Sequence, residues 1–284
     1  MKSELKFYLD TNSFRMLAPC LKESKGVGAF ISVWTICEML GHVFKHPEEY
    51  DKIKSNLKAI KESRISIIMM MPFELCYNAF SLPLPRNSTS RNIVIMALLL
   101  MLADTFDEWL KKLDTYSLSS TIEFVKGIDN ATSRLNQNIA KQFDNSISTR
   151  ESISKYKEFR QHEDKEQTHK RLLEYYVDGF IENNEDVRKM GVYVGMSYEE
   201  FKQFLCDAYD GSIDVAIRVN ACMVDKKVSY RAFFRRNDDT DMMHLYYLVD
   251  DTILVTNDKR LRENVTTEFP GRAVSVDEFR EVCK

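Results

Sequence analysis

Acidic residues near the two ends of the chain carry its clearest chemistry. Asp10 follows the apolar run Phe7-Tyr8-Leu9, and Asp258 follows the apolar run 252–255 after Thr256 and Asn257. A helical pattern before the second run opens with Asp238, Asp239 and Asp241. An earlier helical pattern contains Glu38. Ligands of an open parallel sheet gather outside the carboxyl ends of its strands. Carboxylates from distant parts of the sequence can therefore meet there.

Several carboxylates in one crevice repel one another unless a positive charge lies between them. Oxygen ligands of this kind suit Mg²⁺ or Mn²⁺. Such ions can activate a water, neutralise a phosphate and stabilise a leaving oxygen, as the hydrolysis of a phosphodiester requires. The residue types therefore predict a Mg²⁺ or Mn²⁺ site with these ligands: Asp10, Glu38, Asp238, Asp241 and Asp258.

Each acid also has a purely structural interpretation. Asp10 and Asp258 could cap helices, because both precede helical patterns. Asp238 and Asp241 could be favourable charges in the first turn of a helix, and Glu38 could be a solvated helical position. These structural explanations would all have to apply to acids that fall at the same edge of the sheet. Their common position therefore favours a shared site.

The alternation of apolar patterns predicts the elements that position these acids. Short strands are expected at 5–9, 29–31, 64–71, 252–256 and 272–276. Thr11-Asn12-Ser13 is a helix start, Ser32 is a helix N-cap, and His46-Pro47 ends that second helix. The strand 64–71 is expected to be buried. Strands that alternate with helices predict an α/β fold with a mostly parallel central sheet.

Helical patterns fill the middle of the chain. They include 92–113, the charged stretch 151–176, and a helix opened by the capping box at Ser197 and Glu200. Gly191–Gly195 is the one possible strand there. The sequence thus predicts a core built from 1–75 plus 230–284, interrupted by a helical insertion at 76–229.

Composition sets further bounds. A net charge of −3, 44% hydrophobic and 29% charged residues describe an ordinary soluble protein without a global attraction to nucleic acid. Six scattered cysteines without a C-x-x-C pair predict reduced thiols and a cytoplasmic location. The apolar run Ile93–Ala103 is shorter than the ~20 residues needed to span a bilayer, so no membrane segment is expected.

Together these motifs resemble the PIN-domain nuclease family. The resemblance is carried by 9–13, by Ile31-Ser32 with Glu38, by Asn237-Asp238 with Asp241, by 255–258, and by 274–276 with Phe279. It implies a three-layer α/β/α core and a metal-dependent endoribonuclease, for example a toxin, defence or processing nuclease. The implied acidic quartet is Asp10, Glu38, Asp241 and Asp258, with Asp238 as a fifth acid. The helical insertion departs from the compact family pattern, and it leaves RNA recognition, self-association or a protein partner open as its role.

Supporting residues follow from the same arrangement. Thr256 and Asn12 are similar to the polar residues that steady the carboxylates in that family. His244, one turn after Asp241, could position substrate or hydrogen-bond that acid. The residues expected to hold RNA phosphates beside the crevice are Arg235, Arg236, Lys259 and Arg260.

Three alternatives stay open at this point. The core could be a non-catalytic module that binds RNA or protein. Asp10 could be the nucleophile of a phosphatase or phosphotransfer domain, although Asn12 stands where haloacid-dehalogenase-type phosphatases have a second Asp. Glu38, His42 and His46 share one helical face and could hold a softer metal such as Zn²⁺.

Overall fold

The computed structural model describes residues 5–21, 28–84, 89–128, 165–230 and 238–282. Its centre is a sheet of five strands, all parallel, in the order β3-β2-β1-β4-β5. The strands are β1 (Phe7–Leu9), β2 (Ala29–Ser32), β3 (Ser66–Ile68), β4 (Ile253–Val255) and β5 (Ala273–Val274). The predicted α/β class with a parallel sheet is confirmed, and the architecture is compatible with three α/β/α layers.

The sheet reverses its direction of growth between β1 and β4. The chain builds outward from β1 through β2 to β3, and then returns to place β4 on the other side of β1. Leu9 pairs with Val255, so the residues that follow these two strands emerge side by side. Such a switch point is where parallel sheets bind ligands.

Three helices lie near the sheet, and the first two begin where their local signals predict. They are α1 (Thr11–Leu21), α2 (Val33–Lys45) and α3 (Tyr50–Ser63). Ser32 caps α2, because its Oγ accepts a hydrogen bond from the Thr35 amide at 3.2 Å. The helix ends at Lys45, just before Pro47. The buried stripe of α2 includes Ile36, Leu40 and Val43 and packs into the core.

The described middle of the chain is helical. Its helices are α4 (Pro72–Ala79), α5 (Thr89–Leu102), α6 (Phe106–Thr115), α7 (119–128), α8 (Lys165–Asn183), α9 (Glu185–Tyr193), α10 (Tyr198–Ala208) and α11 (Asp214–Tyr230). The last helices are α12 (Asp238–His244), α13 (Lys259–Glu268) and α14 (Val276–Val282). A 3-10 turn, Leu245–Tyr247, follows α12.

These middle helices pack directly on the core. α5 lies against α2, and α11 lies against α13. The buried apolar side chains of the sheet, the flanking helices and the middle helices form one continuous cluster. The division into a core and an insertion at 76–229 stays a prediction. None of the described helices is long and apolar enough to cross a membrane.

Three local predictions need correction or refinement. The third strand is short and half-exposed, because β3 lies at the sheet edge with a single neighbour, β2. The possible strand 191–195 is wrong, since α9 runs through Tyr193. The predicted helix 92–113 is two helices, and Thr105 caps the second by accepting from the Glu108 amide at 3.2 Å.

Of two further helix predictions, one is confirmed and the other falls partly on described residues. The Ser197 capping box is confirmed, and it opens α10. The charged stretch is helical from Lys165, whereas 151–164 lies outside the described residues.

Candidate active site at the carboxyl edge of the sheet

Asp10 and Asp258 lie at the switch point, as their positions after two strands predict. Asp10 is buried, and its amide donates to the carbonyl of Val255 at 3.3 Å, which ties the end of β1 to the end of β4. Asp258 is exposed and stands directly before α13. The two acids therefore follow neighbouring strands at the same edge of the sheet.

Both residues are also helix caps, so the structural interpretation holds beside the functional one. Asp10 Oδ1 accepts from the Ser13 amide at 2.7 Å. Asp258 Oδ1 accepts from the Leu261 amide at 2.8 Å. Within the part of the chain that the structure describes, each cap engages one oxygen of the carboxylate and leaves the second for a ligand.

Glu38 is held by two donors on the same oxygen. It is half-buried on α2, two turns after the Ser32 cap. The Thr11 hydroxyl donates to Glu38 Oε2, and His244 Nε2 lies 3.0 Å from that same atom. Among the described residues no partner contacts Oε1 of Glu38, so this oxygen is the one left for a ligand.

His244 links Glu38 to a buried hydroxyl network. It ends α12, one turn after Asp241, and its side chain is 3% exposed. Nδ1 of His244 lies 2.6 Å from the Tyr8 hydroxyl. That hydroxyl lies 2.9 Å from Ser32 Oγ. The sequence predicts that His244 positions substrate or hydrogen-bonds Asp241, whereas the acid that it contacts is Glu38.

The negative charges of the other three acids act on the pKa of Asp241. Burial raises the pKa of this half-buried carboxyl, and the negative charges of Asp258, Glu38 and Asp10 add to the effect against the opposing influence of His244. The resulting pKa of Asp241 is about 7. A carboxylate in this position gains from a nearby cation.

His244 supplies part of the positive charge. Burial alone would lower its pKa, but Tyr8, Glu38 and Asp10 together raise the pKa of His244 well above its usual value. The imidazolium and the Glu38 carboxylate then form an ion pair at 3.0 Å. One negative charge of the cluster is thus balanced within the protein.

The donor set matches the predicted ions, but a closed ligand sphere is not formed. Among the residues that the structure describes, no group of three or more His, Cys, Asp or Glu side chains is arranged to hold a metal ion. Oxygens of three of the acids are already engaged, as caps or by Thr11 and His244. The chemistry of the set, which is carboxylate oxygen throughout, suits Mg²⁺ or Mn²⁺.

Other predicted residues have mixed outcomes. Thr256 is buried and accepts from the Asp258 amide at 3.0 Å, so it steadies the backbone of that acid. Asn12 is exposed in the first turn of α1, and within the described residues it makes no hydrogen bond with the four acids. Asp238 begins α12, and its side chain lies outside the description.

The expected RNA-binding cations are only partly described. Arg235 and Arg236 lie outside the described residues. Lys259 and Arg260 are exposed in the first turn of α13, directly after Asp258. Lys259 Nζ lies 3.8 Å from Glu263, a surface pair of small energetic weight.

The three side chains of the alternative Zn²⁺ site, Glu38, His42 and His46, do not converge on one point. The rings of His42 and His46 are 4.7 Å apart. His42 pairs with Glu49 at 3.1 Å and His46 with Glu48 at 3.2 Å, whereas Glu38 pairs with His244. The two histidines therefore belong to a separate surface cluster.

Sequence reasoning missed two members of the site. From the sequence, Tyr8 is predicted only as part of a strand, and Thr11 is predicted only as part of a helix start. A tyrosine inside a fully apolar strand is itself a signal, because a buried phenol needs a hydrogen-bond partner. The sequence holds no indication of which partner it finds.

No protein-family model, curated protein or solved structure matches this chain. The functional interpretation therefore depends on the residues of this site.

Proposed function

We propose that this protein is a metal-dependent endoribonuclease of the PIN type, with Asp10, Glu38, Asp241 and Asp258 as its acidic residues. The observation that carries the proposal is the position of these acids. Asp10 and Asp258 follow neighbouring parallel strands at the switch point, and Glu38 is joined through His244 to the helix that carries Asp241. Three of these acids, Asp258, Glu38 and Asp10, raise the pKa of the fourth, Asp241, which supports a shared site.

The chain's own residues suggest how the reaction would be supported. Bound Mg²⁺ or Mn²⁺ would supply an activated water and neutralise the scissile phosphate. Asp10, Glu38, Asp241 and Asp258 would hold the ion, with Asp238 as a further candidate. Lys259 and Arg260, exposed beside Asp258, would bind the flanking phosphates of the RNA.

A second candidate function is a PIN-like module that binds RNA or protein without cutting. It is favoured by the absence of a closed metal-ligand group among the described side chains and by the capping roles of Asp10 and Asp258. The accumulation of negative charge around Asp241 argues against it, because helix capping alone does not require four acids in one place.

The decisive experiment is cleavage of end-labelled single-stranded RNA and DNA with Mn²⁺, Mg²⁺ or EDTA. Wild type is compared with Asp10→Asn, Asp241→Asn and the control Asp277→Asn, an exposed acid that pairs with Arg280 on α14. We expect metal-dependent cleavage of RNA that the first two variants lose and the control keeps.

Other outcomes discriminate among the alternatives. Preferential cleavage of DNA would keep the metal site and overturn the choice of RNA. No cleavage together with stabilisation by metal would indicate an enzyme that needs a partner. Neither cleavage nor a response to metal would overturn the nuclease proposal in favour of the binding module.

A further inference from the structure

A chain of hydrogen bonds runs from Ser32, at the end of β2, through Tyr8 on the central strand to the candidate metal ligand Glu38. It passes from Ser32 Oγ to the Tyr8 hydroxyl at 2.9 Å, from that hydroxyl to His244 Nδ1 at 2.6 Å, and from His244 Nε2 to Glu38 Oε2 at 3.0 Å. Tyr8 is fully buried and His244 is 3% exposed. Solvent therefore does not replace these partners.

The direction of the last hydrogen bond follows from its chemistry. An ionised carboxylate only accepts, so Nε2 of His244 must carry the proton that it donates to Glu38. Nδ1 can then accept from Tyr8 or, in the imidazolium, donate to it. In both protonation states the ring is held between the same two oxygen atoms.

The two donors on Glu38 leave its carboxylate little rotational freedom. Thr11 and His244 both contact Oε2. A side chain fixed at one oxygen presents the other in a defined place, as a metal ligand requires. Thr11 comes from α1 and His244 from α12, so the Glu38 carboxylate also joins the two ends of the chain.

Burying the Tyr8 hydroxyl costs free energy unless the hydroxyl is hydrogen-bonded. The ring packs on the rings of Phe30 and Tyr247 at centroid distances of 5.4 and 5.2 Å. Phenylalanine would provide the same packing without a polar atom to bury. What the hydroxyl adds is the contacts with Ser32 and His244.

We propose that His244 and Tyr8 are positioning residues, in which Tyr8 fixes the His244 ring and His244 fixes the Glu38 carboxylate for the metal. This inference rests on the proposed metal-dependent function. Because His244 and Asp241 share α12, the same contacts also set the distance between two of the acids. Loss of partners of this kind typically costs about 10–100-fold in metal affinity or activity.

The test measures the Mn²⁺ dissociation constant by electron paramagnetic resonance, in addition to RNA cleavage. The variants are Tyr8→Phe, His244→Ala, His244→Gln and the double variant Tyr8→Phe/His244→Ala. The matched control is Tyr246→Phe, which removes the hydroxyl of another buried tyrosine; that hydroxyl bonds Tyr176 at 2.9 Å and lies outside this network.

We expect Tyr8→Phe and His244→Ala each to raise the dissociation constant about 10–100-fold, in line with the usual effect of such partners. His244→Gln keeps an amide donor and should restore part of the loss. The double variant should be no weaker than His244→Ala, because Tyr8 acts through His244. Tyr246→Phe should bind Mn²⁺ as wild type does.

The outcomes separate the two proposals. Mn²⁺ binding by wild type with unchanged affinity in folded Tyr8→Phe would overturn the positioning role and leave the nuclease intact. An equal loss in Tyr246→Phe would also overturn it, since the effect would then be one of general packing. If Tyr8→Phe does not fold, equal affinities of wild type, His244→Ala and His244→Gln would overturn it. Absence of Mn²⁺ binding by wild type would overturn both proposals.

Discussion

His244 Nε2 lies 3.0 Å from Oε2 of Glu38, although the two residues are 206 positions apart in the chain. The contact places a cationic side chain among the acids at the edge of the sheet. From the sequence, a metal ion is the expected source of the compensating positive charge. The structure indicates that the protein provides part of that charge itself, which makes the metal-free fold easier to maintain.

The stability of the metal-free protein should depend on pH through Asp241. Its pKa is raised from 3.8 to about 7 in the folded state. A raised pKa means that folding favours the protonated carboxyl. The contribution of Asp241 to stability is therefore complete below pH about 4 and is lost as the pH rises through 7.

Thermal unfolding in EDTA between pH 5 and 8 tests this expectation. The free energy of unfolding should fall as the pH rises, with a slope of at most about 1.4 kcal/mol per pH unit for one proton, reduced by solvent around this half-buried group. Asp241→Asn should flatten the slope. His244 gives a change of the same sign, which should persist in the variant. Parallel profiles of wild type and Asp241→Asn would contradict the assignment.

Added metal should stabilise the protein more at pH 8 than at pH 6. Ligands must lose their protons before they bind, and Asp241 with a pKa of about 7 is half protonated at neutral pH. At 100 times the dissociation constant, Mn²⁺ should add ~2.7 kcal/mol to the free energy of unfolding. Calorimetric scans with and without Mn²⁺ measure the gain. A gain that is equal at both pH values, or equally large in Asp241→Asn, would remove Asp241 from the ligand set.

Asp10 offers a way to separate capping from catalysis. Asn caps a helix as well as Asp does, so Asp10→Asn should keep the hydrogen bond from the Ser13 amide and the stability of the fold. It should lower the cleavage rate at least ~100-fold, equivalent to ~2.7 kcal/mol. Asp10→Ala should lose the same rate and, in addition, ~1 kcal/mol of stability. Normal cleavage by Asp10→Asn in single-turnover assays would reduce Asp10 to a cap.

The parts of the fold that sequence predicts are those with local causes. Strands that end before Asp10 and Asp258 are short apolar runs, and the helix starts at Ser32 and Ser197 are caps that act over three residues. The order β3-β2-β1-β4-β5 is not set by such local signals, because the rules for parallel strands narrow the possible arrangements without selecting one.

The parts that sequence misses depend on distant contacts. Tyr8 and His244 are 236 positions apart, and only the tertiary fold brings their side chains within 2.6 Å of each other. The short apolar run at 191–195 is compatible with a strand, but α9 continues through Tyr193. Short apolar runs do not distinguish the two structures by themselves.

The close packing of α9 against α10 at Gly191 can be tested by substitution. A Cβ atom at Gly191 would lie 2.9 Å from two ring atoms of Phe201, which is buried on α10. Alanine in an exposed helix usually stabilises relative to glycine by up to ~1 kcal/mol. Here the overpacking should outweigh that gain, and Gly191→Ala should destabilise the protein by about 1–3 kcal/mol in urea unfolding.

The matched control is Gly179→Ala on α8, where an added Cβ meets no atom within 4 Å. It should be neutral or stabilising, because only helix propensity changes there. Gly191→Ala combined with Phe201→Leu should recover part of the loss, since the smaller side chain relieves the contact. If Gly191→Ala stabilised the protein as Gly179→Ala does, α9 and α10 could not pack as closely as the structure places them.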